Sequence, residues 1–337
     1  MTRLKKNAKV GLTLMKIAPF HIGHKYLLDT ALHEVDHLIA VIYDCPNLTD
    51  IPLNVRAGWI RKLYPQVEVI EGWDAPNQHE DTSEVKRMQE QYIAGVLKGR
   101  KITHFVSSEY YGEHMSKFLN AINFIIDMDR KKLQISSTMI RSNLYKYRKF
   151  IPTIVLKDLL TKVVILGAPS NENEKIVKEV SRRLETNCFP DISVKHLSQN
   201  NSIKPSRELD FIDIAQKRNI QRSNEKIIHD ANESIIYSSS ILMDYILSMT
   251  VNRKYDQKLH DLAREEISNY DLVFVNSDKT NIISKNYGIE NTYINNQLFG
   301  NLVEMKIPYT LLKGNFEQKV QTIVNKVKID IKSKKKI

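Results

Sequence analysis

The stretch Val10-Gly-Leu-Thr-Leu-Met-Lys-Ile-Ala-Pro-Phe-His-Ile-Gly-His24 decides how the first half of the chain folds. Its apolar start predicts a β-strand, and its last residues predict a short turn and a helix that begins near His24. The imidazoles of His21 and His24 would then lie at the positive end of a helix, where free backbone N–H groups favour anions. Gly23 places no side chain between them, so a phosphate could approach the backbone closely.

This pattern suits the binding of a nucleotide triphosphate and the stabilisation of charge as its α-phosphorus is attacked. A chance H-x-G-H is the alternative, expected in roughly one chain in a hundred of this size from average residue usage. The position of the motif, directly after an apolar run, favours the functional interpretation.

A second segment, Leu133-Gln-Ile-Ser-Ser-Thr-Met-Ile-Arg141, predicts another helix start. Ser136, Ser137 and Thr138 are candidates for its N-cap. Arg141 follows Thr138 by about one helical turn, so hydroxyl and guanidinium can face the same side and form a second phosphate site. Alone, such a segment is more often a plain helix cap. Two such helix starts in one domain are harder to explain by chance.

Strand and helix patterns alternate through the first half, which indicates an α/β fold with a parallel sheet covered on both faces. The predicted strands are 10–15, 37–43, 67–70, 102–107 and 123–126, and the predicted helices are 24–35, 54–63, 83–97 and 112–119. Ligands of such sheets bind outside the carboxyl ends of the strands. His21, Asp44 and Asp127 all follow strand ends, so we expect them to share one cleft.

These motifs resemble those of the nucleotidyltransferase superfamily, and within it the nicotinamide mononucleotide (NMN) adenylyltransferase domain of NadR-type proteins. Lys16-Ile-Ala-Pro-Phe-His-Ile-Gly-His24 is similar to the G-K-F-x-P-x-H-x-G-H motif, with Met15 in place of its glycine and Ile17 in place of its phenylalanine. Asp127-Met-Asp-Arg130 resembles D-P-x-R without the proline, and 135–141 matches I-S-x-T-x-I-R. The resemblance runs from about Val10 to Pro152.

The resemblance implies a Rossmann-like nucleotidyltransferase fold and transfer of the adenylyl group of ATP to NMN, giving NAD and pyrophosphate, with Mg²⁺ bridging the phosphates. The residues expected to carry the catalytic charges are Lys16, His21, His24 and Arg141. The residues expected to bind the ATP phosphates are Gly23, Ser136, Ser137 and Thr138. We expect no metal site built from protein side chains.

Four further residues are candidates for substrate binding. Arg56 lies in a segment that resembles the family's R-x-x-W-L helix and either contacts substrate or is an ordinary helix-surface arginine. Trp73 follows a predicted strand and could stack on a nicotinamide or adenine ring, whereas Trp59 is expected in the core. Asp44 and Asp127 could orient ribose hydroxyls or a magnesium shell, or simply cap turns.

The second half begins with a strand, a loop and a helix in the layout of a P-loop. Aligned to G-x-x-x-x-G-K-[ST] from Gly167, the chain has Glu172, Asn173 and Glu174 where the second glycine, the lysine and the hydroxyl belong. NadR-type chains carry a P-loop ribosylnicotinamide kinase domain, whose acidic D-T-D would correspond to Ser238–Ser240. We therefore expect a kinase-like α/β fold without kinase activity. An unrelated α/β domain, or Lys175 acting as the loop lysine, are the alternatives.

Bulk properties indicate a two-domain cytoplasmic enzyme, with domains at 1–155 and 156–337. The chain of 337 residues has two cysteines and a formal charge of +11. No disulfide framework, signal peptide or membrane span is expected. The positive charge could indicate a nucleic-acid partner, but polyanionic small molecules such as ATP and NMN explain it equally well. We expect ATP and NMN, or the product NAD, as partners, with no nucleic acid and a possible homo-oligomer. The short segment before Val10 is not expected to hold a DNA-binding helix-turn-helix.

Two other functions stay open on the sequence alone. One is a non-enzymatic regulator that senses NAD or related nucleotides. The other is a nucleotidyltransferase with another acceptor, such as a cytidylyltransferase, although 131–138 matches the R-T-x-G-I-S-T-S motif of that group poorly.

Overall fold

The computed structural model describes residues 8–76, 82–108, 112–193, 210–277 and 290–333. The chain divides into two compact units, the first ending at Leu156 and the second beginning at Lys157. In the described residues each unit contains a five-stranded sheet in which all the pairings are parallel. The predicted α/β class of both halves is thereby confirmed.

The sheet of the first unit has the order β3-β2-β1-β4-β5. Its strands are β1 (Val10–Met15), β2 (His37–Tyr43), β3 (Glu68–Gly72), β4 (His104–Ser107) and β5 (Ile122–Ile125). The central strand β1 is buried along its whole length, as an apolar strand covered on both faces should be. The strand order reverses between β1 and β4, and a crevice opens at such a switch point beyond the carboxyl ends of the strands.

Helices follow each of these strands. They are α1 (Ile22–Glu34), α2 (Leu53–Leu63), α3 (Ser83–Leu97), α4 (Gly112–Leu119), α5 (Ser137–Ser142) and α6 (Leu144–Tyr147), with a 3-10 turn at Arg148–Phe150 and α7 at Thr153–Leu159. The bounds of α3 and α4 are those that the sequence predicts. Trp59 on α2 is buried, which confirms its predicted place in the core.

The second unit has the strand order β10-β9-β6-β8-β7. Its strands are β6 (Thr161–Leu166), β7 (Cys188–Phe189), β8 (Ser234–Tyr237), β9 (Leu272–Val275) and β10 (Thr310–Leu311). Its helices are α8 (Asn171–Arg183), α9 (Phe211–Gln221), α10 (Glu225–His229), α11 (Ile241–Leu247), continued by a π-helical turn at Ser248–Asn252, α12 (Gln257–Ile267), α13 (Asn291–Glu304) and α14 (Phe316–Ser333). Within the described ranges, none of the helices has the length and apolar character needed to cross a membrane.

Candidate active site

The first turn of α1 is built around the two histidines of the motif. His21 is the N-cap, and its Nδ1 accepts a hydrogen bond of 3.0 Å from the backbone N–H of Gly23. His24 closes the reciprocal bond, because its Nδ1 accepts the backbone N–H of His21 at 3.3 Å. The two rings lie 3.9 Å apart between centroids. Because an imidazole caps the helix, α1 begins at Ile22, two residues earlier than the sequence predicts.

Both imidazoles are neutral at pH 7. Burial and the charge of Arg130 lower the pKa of His21 to about 4. Burial, His21 and Arg130 together hold the pKa of His24 well below its usual range. Since each Nδ1 accepts a backbone N–H, the proton of each neutral ring is on Nε2. The pair therefore offers two Nε2–H donors, which suit phosphate oxygens.

Gly23 also accommodates the ring of His21. A Cβ at this position would lie 2.8 Å from Cε1 and 2.9 Å from Nδ1 of His21. The missing side chain therefore makes room for the His21 ring to fold over the first turn, rather than simply for a phosphate.

A tight loop between β1 and α1 joins the two sequence motifs. It contains the cis peptide Ala18-Pro19, and Ile17 before it has a positive φ of 43°. The guanidinium of Arg141 donates to the carbonyl oxygen of Ala18 at 2.6 Å. The hydroxyl of Ser137 donates to the carbonyl oxygen of Pro19 at 3.0 Å. The second helix start is therefore fastened directly to the segment that leads into the first.

The hydroxyls of the second motif have separate tasks. Ser136 is the N-cap of α5 and accepts from the backbone N–H of Met139 at 3.2 Å. Thr138 accepts from Nη2 of Arg141 at 3.1 Å. This contact confirms that Thr138 and Arg141 face the same side of the helix.

Arg56 is buried, so it is not a helix-surface arginine. Its guanidinium donates to three backbone carbonyl oxygens and to one carboxylate, those of Ile51 (3.0 Å), Lys16 (2.6 Å), Tyr43 (2.8 Å) and Asp44 (3.3 Å). Tyr43 is the last residue of β2, and Lys16 directly follows β1. Because its donors are occupied in this way, Arg56 braces the strand ends that form the edge of the crevice.

The carboxylates of Asp44 and Asp127 both make local contacts. Asp44 accepts the backbone N–H of Cys45 at 3.0 Å in addition to its contact with Arg56. Asp127 accepts the backbone N–H groups of Lys132 and Leu133 at 3.2 to 3.3 Å. The turn-capping alternative is therefore present at both positions, and their contact with a ribose or a magnesium shell stays a prediction.

Lys16 and Trp73 lie at strand ends of the same sheet. Lys16 directly follows β1 and is partly buried. Trp73 directly follows β3, and its side chain is 52% exposed, with Nε1 donating to Glu71 at 3.2 Å. The stacking of this indole on a nicotinamide or adenine ring stays a prediction.

Arg130 is a charged residue to which the sequence analysis assigns no role in the site. It lies between β5 and α5, and its charge reaches both His21 and His24. The resemblance of 127–130 to D-P-x-R is the signal that could have drawn attention to it.

The P-loop position of the second unit is filled by its own side chains. Four residues, 167–170, separate β6 from α8, fewer than G-x-x-x-x-G places before its lysine. Glu172 accepts from Lys319 at 3.1 Å and from Asn276 at 3.2 Å. Asn173, in the place of the lysine, is buried and accepts from Asn276 at 2.7 Å. Lys175 is exposed.

The backbone of this loop is also engaged. The N–H of Ala168 donates to Oδ1 of Asn295 at 3.3 Å. A Cβ at Gly167, where φ is 151°, would lie 2.2 Å from the carbonyl oxygen of Asn276. The loop is therefore closed over by the residue that follows β9.

Ser238–Ser240, where the D-T-D motif would fall, are buried serines. Ser238 donates to the carbonyl of Phe189 at 3.0 Å, and the carbonyl of Ser239 accepts from Arg222 at 2.7 Å. Asp244, one helical turn later, is fully buried and paired with Arg218 at 2.8 Å. Its charge is thereby already compensated.

Among the described residues, no group of three or more His, Cys, Asp or Glu side chains is arranged to hold a metal ion.

No family model matches the chain. The trifunctional NAD biosynthesis/regulator protein NadR of Salmonella typhimurium is 21% identical over 334 residues, which cover 89% of the chain and 77% of the relative. Its Escherichia coli counterpart is 22% identical over 333 residues, with the same coverage.

Two crystal structures of NadR, one in complex with NAD and AMP-PNP and one in complex with NR, share the fold. Their TM-scores are 0.55 and 0.57 at 15% identity, and each alignment covers 95% of both chains. The chain is therefore similar to NadR proteins in sequence over most of its length, and it shares their fold.

Proposed function

We propose that the first unit transfers the adenylyl group of ATP to NMN, giving NAD and pyrophosphate, and that the second unit has no kinase activity. The observation that carries the first part is the convergence of two helix starts on one loop. α1 presents two Nε2–H donors, and α5 presents Arg141 bound to the carbonyl of Ala18 in the same loop.

In this reaction a phosphate oxygen of NMN forms a bond to the α-phosphorus of ATP, the α–β P–O bond breaks, and pyrophosphate leaves. A phosphate is an adequate nucleophile at neutral pH, so no general base is required. The protein aligns the reactants and neutralises charge. The neutral rings of His21 and His24 donate to the ATP phosphates, and Lys16 and Arg141 bind the β/γ end.

Hydroxyl and backbone donors at Ser136, Ser137 and Thr138 complete the phosphate site. Mg²⁺ bound to the phosphates supplies further charge neutralisation.

The choice of NMN as acceptor rests on the family. The related proteins of Salmonella and Escherichia coli are named for NAD biosynthesis, and a NadR of the same fold binds NAD. In this chain, the exposed ring of Trp73 would stack on nicotinamide or adenine, and Asp44 and Asp127 would face ribose hydroxyls.

The absence of kinase activity is supported by the closed loop of the second unit. A magnesium-bound triphosphate needs backbone donors and a lysine at the start of α8. Here Glu172 stands in the first turn with its charge compensated by Lys319, and Asn173 is held by Asn276. Both the loop and the site at Ser238–Ser240 would have to rearrange before they could bind the substrate of a kinase.

A panel of ATP and CTP against NMN, nicotinate mononucleotide and phosphopantetheine, with pyrophosphate release as the readout, tests the proposal. Fast release with ATP and NMN supports it. Preference for CTP would favour a cytidylyltransferase, and release with none of the pairs would favour a non-enzymatic nucleotide sensor.

A further inference from the structure

The backbone of Trp73, at the end of β3, is held from helix α3. The hydroxyl of Tyr92 on that helix donates to the carbonyl oxygen of Trp73 at 2.7 Å. Burial and the charge of Asp74 raise the pKa of Tyr92, so the hydroxyl keeps its proton at neutral pH and can donate it to this bond. The bond fixes the peptide that carries the exposed indole.

Gly72, the last residue of β3, lets the hydroxyl of Tyr92 come close to the strand end. A Cβ at this glycine would lie 3.0 Å from the hydroxyl oxygen of Tyr92, 3.2 Å from the ring of Tyr43 and 3.3 Å from the carbonyl oxygen of Ile42. The rings of Tyr43 and Tyr92 meet edge to face, with centroids 6.1 Å apart. The two tyrosines therefore enclose the peptide that leads into Trp73.

The indole ring of Trp73 has a restraint of its own. Its Nε1 donates to Glu71 at 3.2 Å, and Glu71 is paired with Arg61 of α2 at 2.7 Å. Backbone and ring are thus held from different helices, while about half of the side chain is open to solvent. An aromatic ring that is exposed but already oriented is pre-organised for stacking, because it loses little rotamer freedom when a ligand binds.

We propose that Tyr92 is a positioning residue, whose hydroxyl holds Trp73 so that the indole stacks on the heterocyclic ring of a bound nucleotide. The assignment rests on the proposed adenylyl transfer, which supplies two such rings, the nicotinamide of NMN and the adenine of ATP. Both rings are flat π-systems, so the chemistry of the contact is the same.

Tyr92 acts on binding and not on the transfer step. Strand β3 lies two positions from β1 in the sheet, which is roughly 10 Å at the usual spacing of strands. The hydroxyl is therefore remote from the helix starts that hold the phosphates. The affinity for one nucleotide should depend on Tyr92, whereas kcat should not.

Steady-state kinetics of Tyr92→Phe in the full chain tests the assignment. The change removes only the hydroxyl. KM for the nucleotide that stacks on Trp73 should rise by about three-fold to ten-fold, as expected for one lost hydrogen bond, while kcat changes by less than about two-fold. A rise in KM for NMN alone identifies nicotinamide as the stacked ring, and a rise in KM for ATP alone identifies adenine.

The matched control is Tyr64→Phe. It removes a tyrosine hydroxyl that donates to Asp29 at 2.8 Å, away from the end of β3. This variant should leave KM for both nucleotides unchanged.

A double-mutant cycle with Trp73 gives a readout that a merely structural role of Tyr92 would not give. In the Trp73→Ala background, Tyr92→Phe should have no further effect on KM, because the hydroxyl acts through the indole. Additive effects of the two changes, or unchanged KM for both nucleotides in Tyr92→Phe, would overturn the assignment.

Tryptophan fluorescence measures binding without turnover. The chain has two tryptophans and Trp59 is buried, so quenching on titration with NMN or ATP reports on Trp73. Tyr92→Phe should weaken the affinity measured in this way by the factor by which KM rises.

The two proposals fail separately. If the wild-type chain makes no NAD but NMN or ATP quenches its fluorescence with an affinity that depends on Tyr92, the inference stands and the proposed function is wrong. If NAD is made and Tyr92→Phe matches Tyr64→Phe in KM and in quenching, the proposed function stands and the inference is wrong.

Discussion

Nη1 of Arg141 donates a 2.6 Å hydrogen bond to the carbonyl oxygen of Ala18, a residue 123 positions earlier in the chain. Through this bond the helix start at Ser136 is tied to the loop that leads into His21. The guanidinium also contacts Thr138 on its own helix. Arg141 is therefore oriented by two partners while it remains beside the proposed phosphate site.

Arg141→Lys should lower kcat/KM for ATP by about a hundred-fold. The ammonium of lysine is a point charge. It cannot donate to the carbonyl of Ala18 and the hydroxyl of Thr138 and also form two parallel hydrogen bonds to a phosphate, as a planar guanidinium can. Steady-state kinetics of NAD formation measures the effect. The control is Arg87→Lys, the same change at an exposed position of α3, which should behave like wild type. A fully active Arg141→Lys enzyme would show that the guanidinium is not part of the phosphate site.

The stability of the chain should depend on His21 between about pH 4 and pH 6.5. The native pKa of His21 is about 4, below its ordinary value of 6.5, so the unfolded chain takes up the proton first as the pH falls. The free energy of unfolding should therefore rise with pH across this window, by up to roughly 3 kcal/mol from His21. His24, whose pKa is also lowered, acts in the same direction.

Urea denaturation of the full chain at several pH values checks this dependence. His21→Asn keeps an N-cap acceptor for the first turn of α1 but removes the titrating ring, so its stability should depend less on pH. His33→Asn changes an exposed histidine of the same helix and should retain the wild-type dependence. Equal pH dependence in wild type and His21→Asn would contradict the buried, neutral state assigned to His21.

Arg56→Lys should destabilise the protein by roughly 2 kcal/mol or more, because a lysine cannot satisfy the carbonyl oxygens of Lys16, Ile51 and Tyr43 together. Urea denaturation measures the loss. Arg61→Lys, on the more exposed part of α2, serves as control and should cost little. Unchanged stability with a raised KM would instead make Arg56 a substrate contact.

Glu172→Gln should destabilise the second unit by roughly 3 kcal/mol, since it leaves the buried ammonium of Lys319 without a counter-charge. Glu174→Gln, in the same turn of α8 but paired with Lys178 at 4.0 Å on a more exposed side chain, should have little effect. Urea denaturation of the two full-length variants and the wild type measures the change in the free energy of unfolding.

The Glu172→Gln variant also tests the prediction that the second unit has no kinase activity. Neither it nor the wild type should phosphorylate ribosylnicotinamide. If the wild type forms NMN and a substitution of Lys175 abolishes this activity, the loop binds the nucleotide in a shifted register.

Local patterns were enough to predict most elements of the first unit. Helix α3 begins after the Thr82 cap and ends at Leu97, where Lys98 caps it in a left-handed conformation before Gly99. The signals at both ends are short-range. Helix α1 begins two residues before the start predicted from the sequence, because histidine is not among the usual capping residues. Only the folded loop shows that His21 performs that role.

Long-range contacts could not be predicted in this way. The hydrogen bonds of Arg56 reach a carbonyl oxygen as far as 40 residues away in the chain. The helix pattern of α2 does not indicate that Arg56 is buried. The hydrogen bond from Lys132 to Tyr26 joins two residues that lie 106 positions apart in the chain. The motifs therefore indicated the chemistry, whereas the supporting contacts came from the fold.

The most direct measurement is NAD formation by the purified full chain from ATP, Mg²⁺ and NMN, compared with His24→Ala. Wild type should release one pyrophosphate for each NAD, and His24→Ala should lose turnover by orders of magnitude while its circular dichroism and unfolding transition stay close to wild type. Wild type that forms no NAD, or a His24→Ala enzyme of near-normal activity, would contradict the account.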